Sequence, residues 1–240
     1  MQPDKISPFV ITGCGRSGTT YIAKILNQIG CRCKHEDYFP RLVKIGRFFI
    51  SNRHDFFIKF NKVGWRIPPY GEIAWQAAAY LEYLPTATII FHQVRHPVNF
   101  IKSRQKKGLV GYKLRNRFCP IPVKSSNVWE FGSLPIHEQV QYLAEFWIRW
   151  NCMVEQKTRQ GGYTYIRYCL ENIDTAQIHE ILRSIGFQAE LWKIQSVFES
   201  LPQNIHSLGK NTEHITIDML SNTGRENLIK EACRYGYDLT

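Results

Sequence analysis

The sequence predicts an α/β chain: a three-layer sandwich with a central parallel sheet flanked by helices. Three observations predict it. A short apolar run at 9–11 breaks into a glycine-rich turn and passes straight into a helical pattern, with Ile22, Ile25, Leu26 and Ile29 on one face. A second run, at 87–94, is the most hydrophobic in the chain, as expected of a parallel strand buried on both faces. A third strand pattern, at 163–168, follows a long helical stretch and is itself followed by helices.

The elements follow in order. After the first helix Gly30 fits the left-handed position that closes a helix. Residues 31–34 read as a short extended segment ending at His35-Glu36-Asp37. From 38 to 67 the spacing of Phe48, Phe49, Phe56, Phe57 and Phe60 favours one or two amphipathic helices. Pro68-Pro69-Tyr70-Gly71 reads as a turn, and a helix is expected over 72–84. The strand at 87–94 ends in Arg95-His96-Pro97, and Pro97 suits the first turn of a new helix carrying Phe100, Ile101 and Ser103. Residues 105–134 read as irregular and basic, either a lid or binding loop or a plain surface loop. A helix over 135–156 places Tyr142, Leu143, Phe146, Trp147 and Trp150 on a core-facing stripe. Helical patterns then cover 173–185, 191–200 and 226–235. No repeat, low-complexity tract or linker interrupts residues 1–240, so one domain is expected.

Composition narrows the class. Apolar residues make up 44% of the chain, enough to fill a core at this length. Thirty-one Lys and Arg face 20 Asp and Glu, a basic balance that suits nucleic acid, an anionic membrane or a small polyanionic substrate without choosing among them. Seven cysteines, an odd number without a CxxC, read as mostly buried thiols of a reducing compartment. Cys31, Cys33 and His35 lack a second ligand pair at zinc spacing, so no metal site is expected. Without a signal peptide pattern or a membrane-length apolar run, a cytoplasmic protein is the expectation. His92, inside the apolar strand, reads as a buried hydrogen-bonded residue rather than a catalyst.

The chemistry concentrates in Gly13-Cys14-Gly15-Arg16-Ser17-Gly18-Thr19-Thr20. Strand, glycine loop and helix start together make a phosphate cradle, because glycines admit the anion and the helix start offers unpaired N–H groups. The spacing approaches a Walker A loop, making the fold P-loop-like, yet Thr19 stands where the phosphate-binding Lys belongs. The strand at 87–94 delivers Arg95 where a magnesium-holding acid would be expected. Arg95 and Ser103, a strand end and one helix face on, offer a second anion site. Two separated anion sites without metal ligands describe a ligand carrying phosphate at both ends.

These residues resemble the PAPS-dependent sulfotransferases, whose cosubstrate is 3′-phosphoadenosine-5′-phosphosulfate, and in particular bacterial and carbohydrate-type members. The loop Gly15 to Thr20 is similar to that family's (K/R)SGTT element, and Arg95, Pro97 and Ser103 are similar to its R-x-P-x5-S element. Weaker echoes lie at 165–171, where Cys169 replaces the usual Glu, and at Arg234-Tyr235-Gly236-Tyr237. His96 replaces the usual Asp or Asn.

The resemblance implies in-line transfer of a sulfuryl group to a hydroxyl or amine of a glycan, lipid or small molecule, with PAP as product and no metal. It implies that Gly15, Arg16, Ser17, Gly18, Thr19 and Thr20 hold the 5′-phosphosulfate through Arg16, the N–H groups of residues 17–20 and the threonine hydroxyls. Arg95 and Ser103 would hold the 3′-phosphate, completed by Lys210 or Arg225. Glu36 is the first choice as catalytic base and His35 the second. The turn from Glu72 to Trp75, with Trp65 and Arg66, would line the acceptor cleft. A P-loop kinase-like phosphotransferase and a non-catalytic nucleotide-binding protein are the rival readings. Nucleic acid is not the expected partner, nor is a membrane span expected.

Overall fold

Parallel strands need crossovers, and a strand buried on both faces must serve two cores by alternation. The computed structural model describes residues 6–37, 39, 71–107, 134–201 and 214–239. Among these, β1 (Phe9–Thr12), β2 (Cys33–His35), β3 (Gly71–Ile73), β4 (Ile89–Val94) and β5 (Thr164–Cys169) form one sheet in the order β2-β3-β1-β4-β5. Every pairing in it is parallel. The helices are α1 (Thr19–Ile29), α2 (Pro97–Lys107), α3 (Ile136–Gly161), α4 (Thr175–Ser184), α5 (Leu191–Ser200) and α6 (Asn222–Arg234), with a 3-10 helix at Trp75–Tyr83.

Odd and even strand positions part company as the pleat requires. Phe9, Ile11, Ile73, Ile89 and Phe91 pack with α1, α4 and α5. Val10, Ile90 and Val94 pack with the 3-10 helix, α2, α3 and α6 on the opposite face. The result is the three-layer α/β sandwich expected from the sequence. The aromatic stripe of α3 is core: Phe146 lies stacked between Phe100 and Trp150, at centroid distances of 6.0 and 5.2 Å.

Several boundaries differ from expectation. The helix expected over 72–84 begins only at Trp75, because Glu72 belongs to β3. A Cβ at Gly71 would stand 2.6 Å from the Phe9 carbonyl, so glycine lets β3 lie against β1. Helix α3 runs past the expected end at 156 to Gly161, where Gly162 (φ 65°) closes it. Tertiary contacts hold the extra turn: Lys157 donates to the Ala79 carbonyl and pairs with Glu82 at 2.6 Å. Residues 105–107, expected to be irregular, continue α2, and α6 begins at Asn222 rather than 226. Apart from Phe39, the amphipathic helices expected at 38–67 lie outside the described residues, as does the basic segment 108–133. No described helix is long and apolar enough to cross a membrane. Among the described residues no disulfide is present, and burial pushes the Cys31 and Cys33 thiols up to about 12, keeping them protonated.

His92 is wholly buried on β4 and hydrogen-bonded on both ring nitrogens. Asn151 donates its amide to the Trp147 carbonyl, so its oxygen faces His92 Nε2 at 2.9 Å and must accept. His92 Nδ1 then accepts from the Tyr165 hydroxyl at 2.7 Å. Burial holds this neutral imidazole well below the ordinary range, at about 4. The unfolded chain therefore takes up a proton below about pH 6.5 that the folded chain refuses until about pH 4. His92 is expected to make stability fall by about 3 kcal/mol across that window as pH drops, with no effect above it. Urea unfolding at about pH 7 and pH 5 measures this, and His92→Gln should flatten that part of the slope. An unchanged slope in the variant would remove His92 as its source.

Candidate anion-binding site

In an open parallel sheet, ligands settle beyond the carboxyl ends of two adjacent strands whose connections leave in opposite directions. Here those strands are β1 and β4. β1 leads through α1 to β2 on one side, while β4 leads through α2 and α3 to β5 on the other. Their register, Phe9 with Ile89 through Thr12 with His92, sets the glycine loop beside Arg95.

The loop is seated by close approach. A Cβ on Gly13 would collide with the Gln93 carbonyl, and one on Gly15 with the Arg104 guanidinium. Gly18 has φ 84°, open to glycine and strained for most other residues. The first helical bonds run from Tyr21 and Ile22 N–H to the Gly18 carbonyl, so the N–H groups of Gly18, Thr19 and Thr20 precede the ladder. Ser17 N–H, expected to face an anion, is instead bonded to the Cys14 carbonyl at 2.9 Å. Ser17 Oγ is buried with no hydrogen-bond partner among the described residues.

Arg16 and the Arg95 motif meet, although 79 residues separate the two arginines. Arg16 Nε donates to Ser103 Oγ at 3.1 Å, and Arg95 Nη1 donates to the Arg16 carbonyl at 2.7 Å. The Arg95 carbonyl accepts from Trp147 Nε1 at 2.9 Å, which fixes the strand end. A third guanidinium, Arg104, is buried beneath Gly15 between the rings of Trp75, Phe100 and Phe146. Arg16 has its pKa lowered by burial, then by the charges of Arg104 and Arg95, with Glu36 opposing. Burial likewise lowers Arg95. Arg16 and Arg95 form no ion pair within 4.0 Å among the described residues, and Arg95 Nε is enclosed without a partner. Converging cations that are partly out of water favour an anion between them.

The end of β2 adds the other expected residues. His35 Nε2 lies 3.3 Å from Thr19 Oγ1 and 3.4 Å from Thr20 Oγ1. Glu36 follows with φ 50°, its N–H bonded to the Ile73 carbonyl, and its charge reaches Arg16. Arg16 (φ 82°) and Glu36 are the two non-glycine residues with left-handed backbone among the described residues. Such strain concentrates at functional positions.

Other expectations fare differently. Glu72 and Trp75 are both buried, with Glu72 accepting from Phe39 N–H and Trp75 packed on Trp150. Arg225 pairs with Asp218 at 3.1 Å near the start of α6, about 15 Å along the helix from Tyr235. Nothing joins it to Arg95 or Ser103 among the described contacts. Lys210, Trp65 and Arg66 lie outside the described residues. A cavity of about 460 Å³ between α3 and α6, lined by charges of both signs at Glu145, Arg149, Lys230 and Glu231, is separate from this crevice.

Sequence reasoning gave no site role to three residues. Arg104 directly follows Ser103, but its aromatic cage comes from three separate elements. Gln93 looks like filler in an apolar run, although its side chain reaches the loop. Glu171 accepts the His96 N–H at 3.0 and 3.1 Å and the Tyr237 hydroxyl at 2.7 Å, tying the Arg95 turn to the C-terminal segment. The Asp, Glu, His and Cys of the described residues form no group of three or more placed to hold a metal. Compared with models of known protein families and with curated protein sequences, the chain matches none.

Arg16→Met is expected to weaken inorganic pyrophosphate binding by at least about tenfold, the order of one charge-assisted contact. It should leave the ligand-free melting temperature level or raised, because one of three crowded cations is removed. Calorimetric titration and thermal melts decide it. Unchanged anion affinity with a large loss of stability would make Arg16 a structural residue instead.

Proposed function

We propose that this chain is a PAPS-dependent sulfotransferase. The observation that carries the reading is the meeting of two motifs at one crevice. The loop has Thr19 in place of the phosphate-binding Lys, and its Arg16 touches Ser103 and Arg95 rather than an acid suited to magnesium. The features of the crevice fit the cosubstrate: glycines that leave no room for a Cβ, an unpartnered Ser17 hydroxyl, an enclosed Arg95 Nε and threonine hydroxyls at a helix start.

On this reading Gly18 to Thr20 N–H groups, the Thr19 and Thr20 hydroxyls and Arg16 take the 5′-phosphosulfate, and Arg95 with Ser103 takes the 3′-phosphate. The acceptor oxygen or nitrogen bonds to sulfur as the bond from sulfur to the 5′-phosphate oxygen breaks. The acceptor proton passes to a base, and PAP leaves with the developing charge held by Arg16 and the loop N–H groups. Glu36 is assigned as that base. His35, within reach of both threonine hydroxyls, is assigned to orient them and is the alternative base. The acceptor is a hydroxyl or amine of a glycan, lipid or small molecule.

Transfer of labelled sulfate from PAPS to a panel of acceptors tests the reading. Glu36→Gln should abolish transfer while PAP affinity stays within about threefold, whereas His35→Asn should weaken both. A kinase-like enzyme would instead be stabilised more by ATP with magnesium than by PAP. PAP binding without transfer to any acceptor would favour a nucleotide-binding protein.

A further inference from the structure

We propose that Gln93 and Tyr168 form a buried clamp that aims the loop's backbone N–H groups at the anion, making both positioning residues of the site. The inference rests on the loop binding an oxyanion, and so on part of the reading above. It does not need sulfuryl transfer.

Gln93 is fully buried and Tyr168 nearly so. They are paired neighbours across β4 and β5, with both side chains on the α1 face. The Gln93 side-chain amide donates to the Ser17 carbonyl, and its own oxygen accepts from the Tyr168 hydroxyl at 2.6 Å. The direction is fixed by chemistry. A backbone carbonyl can only accept, so Nε2 must face Ser17, and Oε1 is left for a donor. Burial pushes the Tyr168 hydroxyl well above its ordinary range, so it stays a donor. Gln93 meets the loop at two further points: its carbonyl lies against Gly13, and its amide lies 3.3 Å from where a Gly18 Cβ would stand.

The consequence for binding follows from the peptide unit. The described chain has no cis peptide bond, so the C=O and N–H of each unit point in opposite directions. Holding the Ser17 carbonyl on Gln93 turns the Gly18 N–H away from β4, and Gly18 carries the first of the three N–H groups that precede the α1 ladder. Arg95 holds the preceding carbonyl, that of Arg16, in the same manner. Two consecutive peptide planes are thus set by Gln93 on β4 and Arg95 just after it before any ligand arrives. Such preorganisation raises affinity by removing an ordering cost.

Gln93→Glu gives the sharpest test. Above its titration range the carboxylate has no proton to give the Ser17 carbonyl. When protonated, its O–H can donate there while its other oxygen still accepts from Tyr168. Binding of PAP and of inorganic pyrophosphate is measured by calorimetry at about pH 8 and about pH 5.5, each variant against wild type at the same pH. Gln93→Glu should bind about tenfold more weakly at the higher pH and recover to within about threefold at the lower, the effect of one buried group losing and regaining its partner. Gln93→Met should stay weak at both. Gln93→Met binding like wild type, or Gln93→Glu failing to recover, overturns the clamp.

If Gln93→Glu does not fold at pH 8, Gln93→Met, Tyr168→Phe and the double variant decide. Losses that fail to add support one linked chain, and additive losses overturn it. Wild type binding pyrophosphate but not PAP would sink the cosubstrate reading and leave the clamp standing. Wild type binding neither would overturn both.

Discussion

Four parallel residue pairs between β1 and β4 hold the crevice together. The last pair, Thr12 with His92, ends β1 two residues before β4 ends at Val94. From there β1 must turn through Gly13, which has no room for a side chain against Gln93, and β4 must deliver Arg95. The contacts of Gln93 with Ser17 and of Arg95 with Arg16 follow from that register. A one-residue slip would turn every β4 side chain to the opposite core and send Gln93 toward α3. Two apolar faces set the register, and the polar site inherits it.

The crevice is locally unfavourable without an anion. Three guanidiniums share it, Arg16 and Glu36 hold left-handed backbone, and Ser17 Oγ and Arg95 Nε stay buried without partners among the described residues. Each feature costs on the order of 1–3 kcal/mol, against a typical net stability of only about 5–15. The two cores, with Trp147, Phe146, Phe91 and Ile25 among the fully buried side chains, carry that burden. Strain and crowded charge at one place, with ordinary packing elsewhere, mark the crevice as the candidate site.

What could be read in the sequence was local. The loop, the helix it opens, the closure at Gly30 and the span of α5 each carry their cause within a dozen residues. β4 was legible because burial on both faces leaves a continuous apolar run. β3 was not, since three residues show no period and its place between β1 and β2 is decided by Gly71 against Phe9. Arg104 was invisible for a different reason: one basic residue among several on a helix looks solvated until Trp75 and Phe146, from distant elements, close around it beside Phe100. Gln93 was hidden by its neighbours, because an apolar run masks the one polar side chain whose partners lie 75 and 76 residues away.

The pattern of residues predicted two separated anion sites, and the folded chain makes them adjoin. Arg16 belongs to the loop by sequence, yet its Nε rests on Ser103, a residue of the second motif. One guanidinium therefore faces both halves of the crevice. In a Walker A loop the Lys charge arises within the helix start and reaches outward along the phosphates. Here the charge comes from the loop's edge and from β4, so it lies beside the cradle instead of at its tip. The absence of Lys at Thr19 is then matched by what Arg16 and Arg95 supply from the side.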